Sequence, residues 1–181
     1  MLRFETERLT LRPWEEDDLP SLNAILSDAQ VMEFSEKGPL TRAQQEAWLT
    51  ENHTPSGPGG LPFVLAMEAP LAGTCIGYIS LSNDPERVAP GKAEIGFRLA
   101  REHWGKGYAP EAAAAVITAA KDVPGISACI AIVDPRNTRS LGVIRKIGMT
   151  YARDVMFYGY DYPDHAFKID VAQYPLTFPP S

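Results

Sequence analysis

Residues 101–120 (REHWGKGYAPEAAAAVITAA) place two glycines, a lysine and a tryptophan directly before an alanine-rich stretch. The stretch predicts a helix that begins at about Ala109 or Pro110, where unpaired N–H groups and the positive end of the helix dipole would lie. Gly105 and Gly107 would let a ligand approach the backbone closely, because they carry no Cβ. The combination indicates an anion site, above all for phosphate, although a tight turn alone would explain the same two glycines.

The bend matches neither of two common phosphate-binding motifs. A P-loop requires a lysine followed by serine or threonine, whereas Lys106 is followed by Gly107. In the GxGxxG pattern a third glycine would stand where this chain has Pro110. The bend therefore lacks the lysine arrangement that a P-loop nucleotide-binding enzyme requires.

Hydrophobic periodicity and turn residues predict the elements that would position this bend. Helices are predicted at residues 15–28, 41–52, 110–122 and 137–148, with Thr41 as an N-cap. Strands are predicted at residues 7–14, 63–69, 73–82, 92–100, 127–133, 149–161 and 165–174. The order β, α, α, β, β, β, α, β, α, β, β predicts a mixed α+β sheet with helices packed on it, in a single domain over residues 1–181.

Composition excludes some functions. The 181 residues include 22% charged residues and have a net charge of −6 with no basic stripe, which argues against nucleic-acid binding through phosphate neutralisation. The negative charge mildly favours a positively charged small substrate. The sequence shows no apolar stretch of membrane-spanning length and no signal-peptide pattern at its start, so we expect a cytoplasmic protein without a membrane partner.

The cysteines and histidines indicate no metal or covalent chemistry. Cys75 and Cys129 lie in apolar strand-like runs, which favours buried free thiols over a disulfide. His53, His103 and His165 are far apart and lack ligand-like spacing, so no metal site is predicted. No nucleophile elbow is present and no base stands beside either cysteine, which argues against a covalent intermediate.

The motifs taken together resemble a known family. The stretch WGKGYAPEA after EIGFRL, followed downstream by NTRSLGVIRKIGM, resembles the GCN5-related N-acetyltransferases (GNAT). The opening TERLTLRPWEEDD is similar to the RimJ/RimL-type branch of ribosomal-protein N-terminal acetyltransferases, and the resemblance covers residues 5–160. It implies the GNAT acyl-CoA N-acyltransferase fold, a mostly antiparallel twisted sheet of about seven strands flanked by about four helices.

The resemblance implies that the bend binds acetyl-CoA as co-substrate. The family loop [Q/R]-x-x-G-x-[G/A] holds the pyrophosphate with backbone amides, and Trp104 stands here where the family has Gln or Arg. Lys106 is a candidate charge partner for the phosphates. The loop residues are Trp104, Gly105, Lys106, Gly107, Tyr108 and Ala109.

Acetyl transfer from a thioester to an amine requires a neutral amine, a polarised carbonyl and a stabilised thiolate. Glu94 is the candidate base, because a carboxylate between Ala93 and Ile95 would have a raised pKa if buried; the alternative is a solvated strand carboxylate. By the resemblance, a backbone N–H where the sheet splays polarises the carbonyl, and the pantetheine arm pairs with the same strand edge. That edge comprises Phe97, Arg98 and Leu99.

Asn137 and Ser140 follow an apolar strand and open a helix. One interpretation is that they cap the helix. The resemblance implies instead that Asn137 contacts the CoA arm and that Ser140 faces the sulfur. A serine is a poor acid, so a hydrogen bond or a water relay is the safer role for Ser140. Three strand tyrosines could compete as acids, although such residues usually pack: Tyr151, Tyr158 and Tyr160.

The segment between the first two predicted helices lines the acceptor site in relatives, and Glu33, Phe34 and Ser35 are the candidates there; the alternative is a connecting loop. The sequence therefore predicts an N-acetyltransferase that moves an acetyl group from acetyl-CoA to a primary amine by direct attack in a ternary complex. A non-catalytic acyl-CoA-binding or regulatory module is the alternative. The sequence does not identify the acceptor, which could be a protein N-terminus, a polyamine, an amino acid or an aminoglycoside. The chain is expected to be a monomer or a homodimer.

Overall fold

Eight strands form one mixed sheet in the computed structural model, which describes residues 3–53, 60–69, 73–157 and 159–175. Within these residues the strand order is β1-β2-β3-β4-β5-β6-β8-β7, and every neighbouring pair is antiparallel except β5 and β6. The strands are β1 (Phe4–Glu5), β2 (Thr10–Arg12), β3 (Phe63–Ala69), β4 (Thr74–Ser82), β5 (Lys92–Leu99), β6 (Ala128–Val133), β7 (Thr150–Val155) and β8 (Asp164–Asp170).

The four α-helices of the described residues cover both faces of this sheet. Residues of α3 and α4 belong to one buried cluster with β2–β6, and α1 and α2 belong to a second cluster around Trp14 and Ala66. The helices are α1 (Leu19–Leu26), α2 (Arg42–Asn52), α3 (Tyr108–Ala119) and α4 (Thr138–Lys146). The predicted mixed α+β architecture with about four helices is confirmed.

The central strand β5 divides its side chains between the two faces. Ala93, Ile95 and Leu99 are buried in the cluster that contains α3. Because side chains alternate along a strand, Glu94 and Arg98 lie on the opposite face.

The two parallel strands stay together for only three residue pairs, which end with Glu94 beside Ile130. From there β5 continues along β4 as far as Leu99, and β6 continues along β8 as far as Val133. The strands therefore part beyond Glu94, and this leaves one edge of residues 95–99 facing a gap.

Several predicted boundaries are wrong by a few residues. The sheet has one strand more than the seven expected, since Phe4–Glu5 pairs with β2 and a two-residue strand has no readable periodicity. The predicted helix at 15–28 is a 3₁₀ turn, Glu16–Asp18, followed by α1. Thr41 is confirmed as the N-cap of α2, with Gln44 completing a capping box.

The two cysteines are both buried and free, as predicted. Burial raises the pKa of each thiol to about 12. None of the described helices combines the length and apolar character needed to span a bilayer.

Candidate active site

A cavity of about 640 Å³ opens where β5 and β6 part. Its volume lies within the range of small-molecule sites. Apart from Lys106 and the competing tyrosines, the site residues predicted from the sequence all line the cavity: Glu33, Phe34, Ser35, Glu94, Phe97, Arg98, Leu99, Trp104, Gly105, Gly107, Tyr108, Ala109, Asn137 and Ser140.

The glycine bend has the backbone conformation that only glycine adopts readily. Gly105 and Gly107 have φ of 74° and 83°, in the left-handed region. Helix α3 begins at Tyr108, so Gly107 is its N-cap, and Gly107 has no side chain with which to cap the first turn. The N–H groups of that turn are therefore available to an anion in the cavity.

Arg8 ties this bend to the start of the chain. Its Nη1 donates to the carbonyl of Lys106 at 2.8 Å, and its Nε donates to Glu111 Oε2 at 2.7 Å. Its guanidinium carbon lies 4.9 Å from the ring centroid of Tyr108. Sequence reasoning missed Arg8, because its partners lie about a hundred residues along the chain and no local pattern marks it.

The exposed Lys106 does not line the cavity, so the structure gives no support to its role as a phosphate partner. Trp104, which stands where the family has Gln or Arg, makes contacts to two other segments of the site. Its indole Nε1 donates to the carbonyl of Leu99 at 2.9 Å, which ties the bend to the end of β5. The guanidinium carbon of Arg139 lies 4.2 Å from the Trp104 ring centroid, and its Nη2 lies 3.3 Å from Glu33 Oε2.

The start of α4 also lines the cavity. Asn137 is its N-cap, and its Oδ1 accepts a hydrogen bond from the N–H of Ser140 at 3.1 Å. The capping interpretation of Asn137 therefore holds, and the residue lines the cavity as well. Its side-chain amide can still donate to a ligand, and the Ser140 side chain is half-buried on the same wall.

Glu94 stands where the two strands part, in surroundings different from those expected. Ala93 and Ile95 point to the other face of β5, so they do not enclose the carboxylate. Both of its oxygens accept hydrogen bonds from Arg87, at 2.6 Å from Nε and 2.8 Å from Nη2. The hydrogen bond to Glu94 is also the main reason that the pKa of Arg87 is raised.

The Glu94 partner comes from the loop between β4 and β5, and sequence reasoning missed it. Arg87 lines the cavity, and its guanidinium carbon lies 5.5 Å from the ring centroid of Phe157. A proton can therefore reach Glu94 either through water or after Arg87 has released one of the carboxylate oxygens.

Two aspartates that line the cavity were also missed. Asp134 follows β6 and accepts hydrogen bonds from Arg136 Nη2 at 2.7 Å and from the Tyr162 hydroxyl at 2.8 Å. The hydrogen bonds from Arg136 are the main cause of its low pKa, about 2. Asp164 begins β8, and burial raises its pKa above the usual aspartate value.

The candidate tyrosines do not converge. Tyr160 lines the cavity, whereas Tyr151 is exposed on β7, donates to Asp154 at 2.9 Å and does not line it. Tyr151 is therefore excluded as an acid for a reaction in this cavity, and Tyr158 lies outside the described residues. Across those residues, no three His, Cys, Asp or Glu side chains gather as metal ligands would.

Comparison with known proteins places these features in a family. The family model described as the Acetyltransferase (GNAT) domain matches residues 8–150. The uncharacterized protein YkkB of Bacillus subtilis is 31% identical over 84% of this chain and 88% of its own length. The uncharacterized N-acetyltransferase p20 of Bacillus licheniformis is 30% identical over 78% of this chain and 79% of its own length. The FsC-acetyl coenzyme A-N(2)-transacetylase of Aspergillus fumigatus is 27% identical over 96% of this chain and 75% of its own length.

Solved structures are similar in fold. A GNAT-family acetyltransferase from Bacillus anthracis superposes with a TM-score of 0.81 at 23% identity, covering 95% of this chain and 100% of that one. RimJ of Mycobacterium smegmatis, in complex with a CoA disulfide, has a TM-score of 0.70 at 18% identity, covering 92% and 84%. At these identities the likeness shows the fold.

Proposed function

The chain belongs to the GNAT acetyltransferases, and from that premise we propose that it transfers the acetyl group of acetyl-CoA to a primary amine. The observation that carries the proposal is the glycine bend at the start of α3, which faces the cavity between β5 and β6 with uncapped N–H groups. The name of the Aspergillus fumigatus relative, which includes acetyl coenzyme A, supports the same donor.

In the proposed complex, acetyl-CoA enters the gap between the parted strands. The pyrophosphate accepts hydrogen bonds from the N–H groups of residues 105–109. The pantetheine arm runs along the open edge of Phe97–Leu99 and contacts the Asn137 side chain, because these groups line the same cavity. A backbone N–H of that edge polarises the thioester carbonyl.

The reaction is direct attack in a ternary complex. The acceptor enters as an ammonium ion and loses a proton to Glu94, through water or after Arg87 has released one oxygen. The neutral amine then forms the C–N bond at the thioester carbonyl, and the C–S bond breaks. A hydrogen bond or a water relay from Ser140 stabilises the departing thiolate. The attacking nitrogen loses its second proton as the amide forms, and the thiolate takes up that proton, directly or through the relay, to leave as CoA.

The acceptor is proposed to lie against Glu33, Phe34 and Ser35, which line the same cavity. The opening TERLTLRPWEEDD supports the RimJ/RimL-type branch, and a protein N-terminal amine is one candidate acceptor. A small amine fits the same proposal, because any neutral primary amine can attack the thioester from this side.

The first test is a thermal-shift titration with acetyl-CoA and CoA, with ATP and NAD as control ligands. A ligand at a hundred times its Kd adds about 2.7 kcal/mol of stability, which moves the midpoint by several degrees. We expect a shift with acetyl-CoA and CoA alone, followed by thiol release in an amine panel. Equal shifts with ATP would overturn the donor assignment, and tight acetyl-CoA binding without thiol release for any amine would indicate a non-catalytic binding module.

A further inference from the structure

The cavity wall contains one buried carboxylate oxygen that no described residue satisfies with a hydrogen bond. Asp164 lines the cavity, and its Oδ1 is buried without a hydrogen bond from any described residue. By contrast, Glu94 is held by Arg87, and Asp134 is held by Arg136. Burying an unpaired carboxylate is unfavourable, which is also why the pKa of Asp164 is raised.

The charges around Asp164 do not supply that partner. Glu36 and Asp134 raise its pKa further, whereas His165 and Arg136 lower it only weakly. Arg136 is already bound to Asp134 through Nη2 at 2.7 Å. This end of the cavity therefore has surplus negative charge, carried by Asp164 and Glu36, and a ligand cation would offset it.

Asp164 lies on the same face of the sheet as Glu94. The register pairs Glu94 with Ile130 and pairs Ile132 with Ala166. Since paired residues share a face and side chains alternate along a strand, these residues and Asp164 all point to one side.

The strand register nevertheless separates the backbone positions of the two carboxylates along the sheet. The register places Asp164 four residues beyond Ile130 along β6, which corresponds to about 13 Å at the usual rise of a strand. A nitrogen that delivers its proton at Glu94 therefore cannot also contact Asp164. A ligand that satisfies both ends needs two separate nitrogens.

We propose that Asp164 binds a second cationic group of the acceptor, so that the preferred substrates are amines with an additional ammonium or guanidinium group about 10 Å or more from the reacting nitrogen. This inference rests on the proposed function, because it takes the Glu94 end as the place of reaction. A long linear diamine has the required chemistry, and a short diamine cannot reach both ends.

The test compares kcat/KM for 1,8-diaminooctane and octylamine, which differ in their second charge. We expect the wild-type protein to prefer the diamine about tenfold or more, beyond the statistical advantage of its two identical ends. We expect no comparable preference for 1,3-diaminopropane over propylamine. Asp164→Asn should remove the preference, while the matched control Asp161→Asn, an exposed residue that does not line the cavity, should retain it.

Equal wild-type use of octylamine and 1,8-diaminooctane would overturn the inference while leaving the acetyltransferase function intact. Retention of the preference in Asp164→Asn would do the same. If the variant fails to fold, the wild-type comparison still decides. Absence of thiol release by the wild-type protein with every amine, despite acetyl-CoA binding, would remove the proposed function and this inference with it.

Discussion

Substitution of Gly107 by alanine tests the glycine bend most directly. Its φ of 83° lies in the left-handed region, where a residue with a Cβ loses about 1–2 kcal/mol. The new Cβ would also lie 3.1 Å from Arg8 Nη2, which is held by Glu111 at 2.7 Å. Since Arg8 cannot withdraw without losing these hydrogen bonds, we expect Gly107→Ala to lower the free energy of unfolding by about 1–3 kcal/mol, or several degrees in Tm.

Gly125→Ala is the matched control. Gly125 has the same φ of 83°, but its Cβ would meet no atom within 4 Å, and the residue does not line the cavity. The control should lose about 1–2 kcal/mol of stability and bind acetyl-CoA normally. Gly107→Ala should raise the Kd for acetyl-CoA about tenfold or more, because a charge-assisted hydrogen bond from the bend to phosphate is worth about 1.5–3 kcal/mol.

Urea denaturation measures the stability change, and isothermal titration calorimetry measures the Kd for acetyl-CoA. If Gly107→Ala and Gly125→Ala bound acetyl-CoA equally well, the bend would not be the pyrophosphate site. If Gly107→Ala lost no stability, the left-handed conformation at this position would not be required.

Four further predictions concern the site and the core. Glu94→Gln should lower kcat about 100-fold and leave the Kd for acetyl-CoA within twofold, in stopped-flow and calorimetric assays; a rate loss below roughly threefold would contradict the role as base. Arg8→Ala should raise KM for acetyl-CoA more than it lowers kcat, because it frees the carbonyl of Lys106; an effect confined to kcat would argue against a positioning role. Cys75 and Cys129 should resist iodoacetamide at pH 8 in the folded protein and react after unfolding, as mass spectrometry would show, since burial raises their pKa to about 12. The preference for 1,8-diaminooctane over octylamine should fall as the pH is lowered. The fall should begin above the ordinary aspartate pKa of about 3.9, because the pKa of Asp164 is raised and its carboxylate is protonated at a higher pH. A preference that persisted to pH 4 would count against Asp164.

Local features were predictable because they depend on neighbours in the chain. The capping box at Thr41 involves residues three apart, and β3 spans the predicted residues 63–69. The glycine bend was recognisable for the same reason, since a few consecutive residues are enough to predict a positive φ followed by a helix start.

The surroundings of Glu94 show where the sequence misleads. Ala93 and Ile95 flank it in the chain, yet alternation along β5 turns them to the other face, and the actual partner is Arg87 from a neighbouring loop. A strand position predicts which residues share a face, but it does not identify what another loop brings to that face.

The sequence by itself thus determined the family, the order of the main elements and the residues of the glycine bend, because motifs and periodicity are short-range. Only the tertiary structure decided that β5 and β6 part beyond Glu94, that Arg8 binds the bend, and that no described residue donates a hydrogen bond to Asp164 Oδ1. These features depend on strand register and on contacts between segments some thirty to one hundred residues apart, for which packing, and not local pattern, selects the partners.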